Sequence, residues 1–176
     1  MVLNVPNILT IFRILLVPVF LLLVLENQLF YATIVFAIAG ITDGIDGFIA
    51  RTYNQRTEFG AHMDPFADKL LLVTAYLSLT LKGFLPIWLC VPVIVRDAVI
   101  LTGFFTLKGA GKKVIISPSF FGKLTTALQI TTVIYAMLIP FNFGLDWLTL
   151  VTAVVTVYSG LDYVWREFKI QTGREA

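Results

Sequence analysis

The chain has 176 residues, 58% of them hydrophobic and only 14% charged, whereas a soluble domain is about 45–50% apolar and about 25% charged. That composition excludes a water-soluble globule, and a net charge of only +2 argues against a basic surface for nucleic acid. A single cysteine, Cys90, excludes an internal disulfide framework, and its place in an apolar run fits a packing role.

In chain order, apolar segments run over residues 8–25, 29–50, 60–82, 85–107, 123–143 and 147–166. Each is long enough, at about 1.5 Å per residue, to cross a hydrocarbon layer about 30 Å thick as a helix. A β-barrel needs alternating polar and apolar positions, and Leu15 to Leu25 shows none. The first segment reads as a span and not a cleaved leader, since no Lys or Arg precedes Phe12, Arg13 lies inside it, and no small-residue cleavage pattern follows Leu25. The second carries Asp43 and Asp46, the third Asp64 and Asp68, and the fourth Arg96, while Lys123 opens the fifth. The expectation is an all-α integral membrane protein of six transmembrane helices, forming one domain over residues 1–176.

The connections set the orientation, because Lys and Arg are concentrated on the cytoplasmic side of membrane proteins. One set holds Arg51, Arg56, Lys108, Lys112, Lys113, Lys123, Arg166, Lys169 and Arg174, and the opposite set holds only Lys82. Both termini are therefore expected in the cytoplasm. Trp88 and Trp147 fall at the outer boundary, and Tyr53, Tyr163 and Trp165 at the inner one, as an aromatic belt requires.

The acids carry the chemical signal. Counting inward from Arg51, Asp46 is five residues deep and Asp43 eight; counting from Glu58, Asp64 is six deep and Asp68 ten. On antiparallel helices these four carboxylates reach similar depths, roughly 7–15 Å inside the boundary, and spacings of three and four keep each pair on one helix face. One ionised side chain at such a depth costs about 2.5–3.5 kcal/mol on insertion scales, so four approach about 10 kcal/mol, comparable with a typical domain stability of about 5–15 kcal/mol. Hard divalent cations offset that cost: Mg²⁺ or Mn²⁺ prefers carboxylate oxygens and leaves positions for substrate phosphate. Two ions about 3.5–4 Å apart would clamp a phosphoryl group. Gly44, Gly47 and Gly60 lie beside the acids and either permit close helix packing or open room for a ligand. Arg51, at the mouth, suits a pyrophosphate because its guanidinium bonds two oxygens at once.

Residues 43–68 read DGIDGFIARTYNQRTEFGAHMDPFAD. This resembles the signature of the CDP-alcohol phosphotransferase family, D-x-x-D-G-x-x-A-R, eight residues, then G-x-x-x-D-x-x-x-D. Every fixed position is filled, by Asp43, Asp46, Gly47, Ala50, Arg51, Gly60, Asp64 and Asp68. The likeness extends through VPNILTIFR at 5–13, IVRD at 94–97, SFFGKLTTALQ at 119–129 and YSGLDYVW at 158–165. It implies a six-helix, homodimeric enzyme of the bacterial inner membrane with a polar cavity facing the cytoplasm. Asp43, Asp46, Asp64 and Asp68 would hold two Mg²⁺ or Mn²⁺ ions, with Asp68 also the general base. Gly47, Ala50, Arg51 and Gly60 would contact the cytidine diphosphate part of CDP-diacylglycerol.

The implied reaction passes the phosphatidyl group to glycerol 3-phosphate, giving phosphatidylglycerophosphate and CMP. Phosphatidylglycerol as acceptor, giving cardiolipin, fits the same signature. Arg96 and Lys123 are the acceptor-phosphate candidates on the resemblance, although Asp97 offers Arg96 a neutralising partner. Arg13 and Arg166 are further members of the same electrostatic funnel, with Asp162 placed to pair with Arg166 at i,i+4. His62 fits a packing role, since the family pattern leaves its position variable. Intramembrane acids also mark cation or proton transporters, but those distribute acids across the bilayer or between two halves, and here they gather on one side of one half.

Overall fold

Runs of twenty or so apolar residues without alternation leave the backbone few ways to satisfy its N–H and C=O groups other than helices. The computed structural model describes the backbone of residues 5–52, 58–109 and 120–171, and the side chains of 8–45, 66–67, 69–103 and 120–166. Six helices appear: α1 (Val5–Leu25), α2 (Leu29–Thr52), α3 (Glu58–Leu81), α4 (Ile87–Gly109), α5 (Phe120–Leu138) and α6 (Phe143–Gln171). Two compact units divide the chain, Met1–Phe84 with Ala136–Pro140, and Leu85–Tyr135 with Phe141–Ala176.

In the first unit α1 packs against α2 and α3, and α2 against α3. Thr10, Arg13, Val17, Phe20 and Val24 form the buried face of α1, at the alternating threes and fours that repeat on one side of a helix. Phe20 meets Phe36 of α2 with ring centroids 5.7 Å apart. Helix α1 ends in a Schellman cap: Gln28 donates to the Leu23 carbonyl, Asn27 to that of Val24, and Asn27 takes φ 60°. The same motif closes α3, where Phe84 donates to Leu79, Gly83 to Thr80, and Gly83 has φ 78°. Lys82, the only cation expected on the outer side, donates from Nζ to the Leu25 carbonyl at 3.0 Å and so meets the negative end of α1.

In the second unit α4 packs against α6, and α5 is tied to α6 by hydrogen bonds. Thr132 and Thr152 share a hydroxyl contact of 2.8 Å, Gln129 donates to Thr156 at 3.4 Å, and Thr125 reaches the Val155 carbonyl at 3.4 Å. Each of these side chains is buried. Threonine can occupy such positions because its hydroxyl also bonds a carbonyl one turn back, as Thr132 does to Leu128 and Thr125 to Phe121.

The polarity is reversed relative to a water-soluble protein. Leu15, Leu22, Phe30, Val154, Leu161 and Trp165 are more than half exposed, while Thr10, Arg13, Asp97, Gln129, Thr152 and Thr156 are buried. Among the described residues two stretches, Ile8–Leu25 and Phe143–Arg166, are helical, long and apolar enough to cross a membrane; Leu29–Ile45 and Lys69–Leu81 are shorter apolar stretches. Cys90 is buried, as expected of a packing residue.

The helix boundaries depart from the expected ones chiefly in the last pair. The fifth segment, expected to end at 143, stops at Leu138, and the sixth starts at Phe143 instead of 147. Pro140 removes a donor and biases Ile139 away from helical backbone, and Phe141 turns the chain at φ 60°. Asn142 then caps α6, its Oδ1 accepting from the Gly144 N–H at 2.8 Å.

Candidate active site

Asp43 and Asp46 stand three residues apart in α2, and Asp64 and Asp68 four apart in α3, two helices that pack against each other. Backbone register therefore keeps each pair on one face of its helix. The side chains of Asp46, Gly47, Ala50, Arg51, Gly60, Asp64 and Asp68 lie outside the described residues, as do those of Arg56, His62, Lys112 and Lys113.

Asp43 is the member of the acidic set whose surroundings are described. Its Oδ1 lies 2.5 Å from Nη1 of Arg13, whose side chain is 1% exposed while that of Asp43 is 43% exposed. Arg13, expected as a member of the cation funnel for the acceptor phosphate, reaches from α1 to the first acid of the signature. Beside it, a Cβ placed on Gly44 would meet nothing within 4 Å among the described residues, and the same is true of Gly40. A half-exposed carboxylate beside open space, in a set otherwise made of carboxylates, fits a hard divalent cation.

The second unit holds the other candidates. Arg96 is buried, and its Nη1 donates to Asp97 Oδ1 at 2.7 Å while Nη2 donates to Ser159 Oγ at 3.3 Å. A Cβ on Gly160 would lie 3.4 Å from Arg96 Cγ, so that glycine leaves the arginine stem just enough room against α6. The neutralising partner considered for Arg96 is therefore present in the folded chain. Lys123 lies exposed in the first turn of α5. Arg166 pairs with Asp162 at 3.0 Å, one turn back on α6, as the i,i+4 spacing requires.

Ser159, Gly160 and the Thr125, Gln129, Thr132 row on α5 were not singled out from the sequence. A signal existed: polar residues at 125, 129 and 132, and at 149, 152, 156 and 159, repeat at helical spacing inside apolar segments.

Residues 3–158 match the family model described as CDP-alcohol phosphatidyltransferase. The chain is 38% identical over 137 residues to the CDP-diacylglycerol–glycerol-3-phosphate 3-phosphatidyltransferase of Wigglesworthia glossinidia brevipalpis, covering 74% of this chain and 75% of that one. It is 34% identical over 171 residues to the protein of the same name from Escherichia coli strain K12, covering 92% and 93% respectively. The chain belongs to the CDP-alcohol phosphatidyltransferase family and is an enzyme of that class.

Proposed function

We propose that this chain transfers the phosphatidyl group of CDP-diacylglycerol to glycerol 3-phosphate, releasing CMP and forming phosphatidylglycerophosphate. The observation that carries the reading is likeness to a relative named for this reaction along nearly the whole of both chains. An enzyme of this kind also accounts for the acids within α2 and α3 without a cation pathway.

The family is in general divalent-metal dependent, and here Asp43, Asp46, Asp64 and Asp68 would hold Mg²⁺ or Mn²⁺, two ions in all. Bound there, the ions would neutralise the pyrophosphate and the charge that develops on transfer. Asp68 takes the proton from the acceptor hydroxyl as that oxygen forms its bond to the β-phosphorus, and the bond to the CMP oxygen breaks in line. Arg51 steadies the pyrophosphate through paired hydrogen bonds, while Gly47, Ala50 and Gly60 give the cytidine diphosphate room to approach the backbone. Arg96 and Lys123 receive the acceptor phosphate.

Large apolar side chains exposed on the helices, with polar side chains such as Arg13, Gln129 and Thr156 buried among an apolar core, support an integral protein of the bacterial inner membrane. In this reading all six helices span the bilayer, residues 1–176 act as one domain, both termini and the cavity face the cytoplasm, and the working form is a homodimer.

The test uses the purified protein with CDP-diacylglycerol, Mg²⁺ or Mn²⁺, and either glycerol 3-phosphate or phosphatidylglycerol, with the lipid product identified by mass spectrometry. Phosphatidylglycerophosphate formed only with glycerol 3-phosphate is expected; cardiolipin from phosphatidylglycerol would overturn the choice of acceptor. Asp68→Asn is expected to lower CMP release by about 10²–10⁴-fold with the helical content retained, and near-normal release would remove the general-base role.

A further inference from the structure

The buried face of α1 carries Thr10, Arg13, Val17, Phe20 and Val24, and it is the face that a helix packed on two neighbours fills with apolar side chains. At its second position stands a guanidinium that is 1% exposed. An apolar residue of similar volume at such a place is often neutral or favourable for stability, because a buried charge must give up its hydration. Stability alone therefore gives weak grounds for an arginine here. Its geometry suggests another reason. Nη1 of Arg13 lies 2.5 Å from Oδ1 of Asp43, whose side chain remains 43% exposed beside Gly44, where a Cβ would meet nothing within 4 Å among the described residues.

We propose that Arg13 is a positioning residue for Asp43: it holds one carboxylate oxygen from α1 and turns the other toward the divalent cation. The inference rests on the reading of Asp43 as a metal ligand. A carboxylate on two rotatable bonds samples several orientations. A cation fixed in the packed face of a neighbouring helix restricts it to one, and such outer partners of ligating side chains typically set metal affinity by about 10–100-fold. The anchor is well placed for the task, since Arg13 is held in a face that also buries Val17 and Phe20, so its guanidinium moves with α1 as a body.

The experiment measures Mn²⁺ affinity by electron paramagnetic resonance on the full-length protein in detergent, alongside thermal unfolding in EDTA. The variants are Arg13→Met, Arg13→Lys, Asp43→Asn and the double variant Arg13→Met with Asp43→Asn. Arg13→Met is expected to weaken Mn²⁺ binding by about 10–100-fold. Arg13→Lys is expected to recover part of the loss, because an ammonium keeps a positive charge beside the same oxygen without the planar fork. In the Asp43→Asn background the Arg13→Met change is expected to add little, since the oxygen it acts through no longer ligates. Normal Mn²⁺ affinity in Arg13→Met, with Asp43→Asn weakened, would overturn the positioning role alone. Normal affinity in Asp43→Asn would overturn the ligand reading and the inference with it. Should Arg13→Met fail to fold, Arg13→Lys against Asp43→Asn gives the same comparison: Mn²⁺ affinity lowered in Arg13→Lys at an equal unfolding temperature counts for the role, and unchanged affinity in Arg13→Lys with Asp43→Asn weakened counts against it.

Discussion

Replacing Asp97 by Asn separates the structural and the functional claims on Arg96. The two side chains are 1% and 6% exposed and their charged atoms are 2.7 Å apart, so neither charge is compensated by water. At an effective dielectric of about 20, unit charges about 4 Å apart attract by about 4 kcal/mol. Removing one partner of a buried pair costs about 3–5 kcal/mol, because the other charge is left uncompensated. Ser159 offers Arg96 one further contact, at 3.3 Å, and Arg96 Nε is buried without a hydrogen-bond partner among the described residues, so little is in reserve. For a chain of this length, about 2–4 °C per kcal/mol converts the loss into an unfolding temperature lower by about 6–20 °C, read by circular dichroism in detergent. The double variant Arg96→Met with Asp97→Leu removes both charges and is expected to regain most of that stability. If Arg96 also receives the acceptor phosphate, the same stable double variant loses a charged hydrogen bond of about 1.5–3 kcal/mol, and KM for glycerol 3-phosphate rises about 10–150-fold. An unaltered unfolding temperature in Asp97→Asn would refute the stability argument. An unaltered KM in the double variant would leave Arg96 a structural residue only.

Two further substitutions probe the second unit. Gly144→Ala places a Cβ 2.7 Å from the Tyr135 hydroxyl and is expected to cost about 1–3 kcal/mol in equilibrium unfolding, with Tyr135→Phe relieving much of it; an additive double variant would count against the steric cause. Thr132→Val and Thr152→Val, alone and together, are expected to show a coupling of about 0.6 kcal/mol and no more than about 1.7 kcal/mol, the average and maximum for side-chain hydrogen bonds between membrane helices. A coupling near zero would mean that the 2.8 Å contact adds nothing beyond packing.

Six helices were legible in the sequence because length and apolarity fix them. The first, over 8–25, was placed to within three residues of α1, and the second and third to within about two. The last connection was placed four residues late. Hydropathy does not fall at Ile139 to Phe141, so the break is invisible to composition and is set by the missing donor of Pro140 and the turn at Phe141. The outer turns, by contrast, carry their signal openly. Asn27 and Gly83 are residues that tolerate positive φ, and both close Schellman caps.

The candidate site was legible where chemistry dictates spacing along one helix, and illegible where it depends on which helices meet. Asp43 and Asp46 announce themselves because two carboxylates one turn apart in an apolar segment have no cheap explanation. Arg13 stands thirty residues from Asp43, and no periodicity links them; only the packing of α1 on α2 brings the ion pair about. The same holds for Ser159 against Arg96, sixty-three residues apart. Local pairs were readable: Arg166 with Asp162, and Arg96 with Asp97, are near in sequence and found together. Three of the thirteen cations, Arg13, Lys69 and Arg96, fall within the apolar segments away from both edges. Two of these, Arg13 and Arg96, each pair with an aspartate, but the two pairs differ in a way that bears on function. Asp97 is 1% exposed, so the Arg96 pair is enclosed within the second unit, whereas Asp43 keeps 43% of its side chain exposed. A pair closed on both sides can stabilise and specify packing. A pair whose carboxylate keeps 43% of its side chain exposed is an arrangement that a ligand of opposite charge can complete.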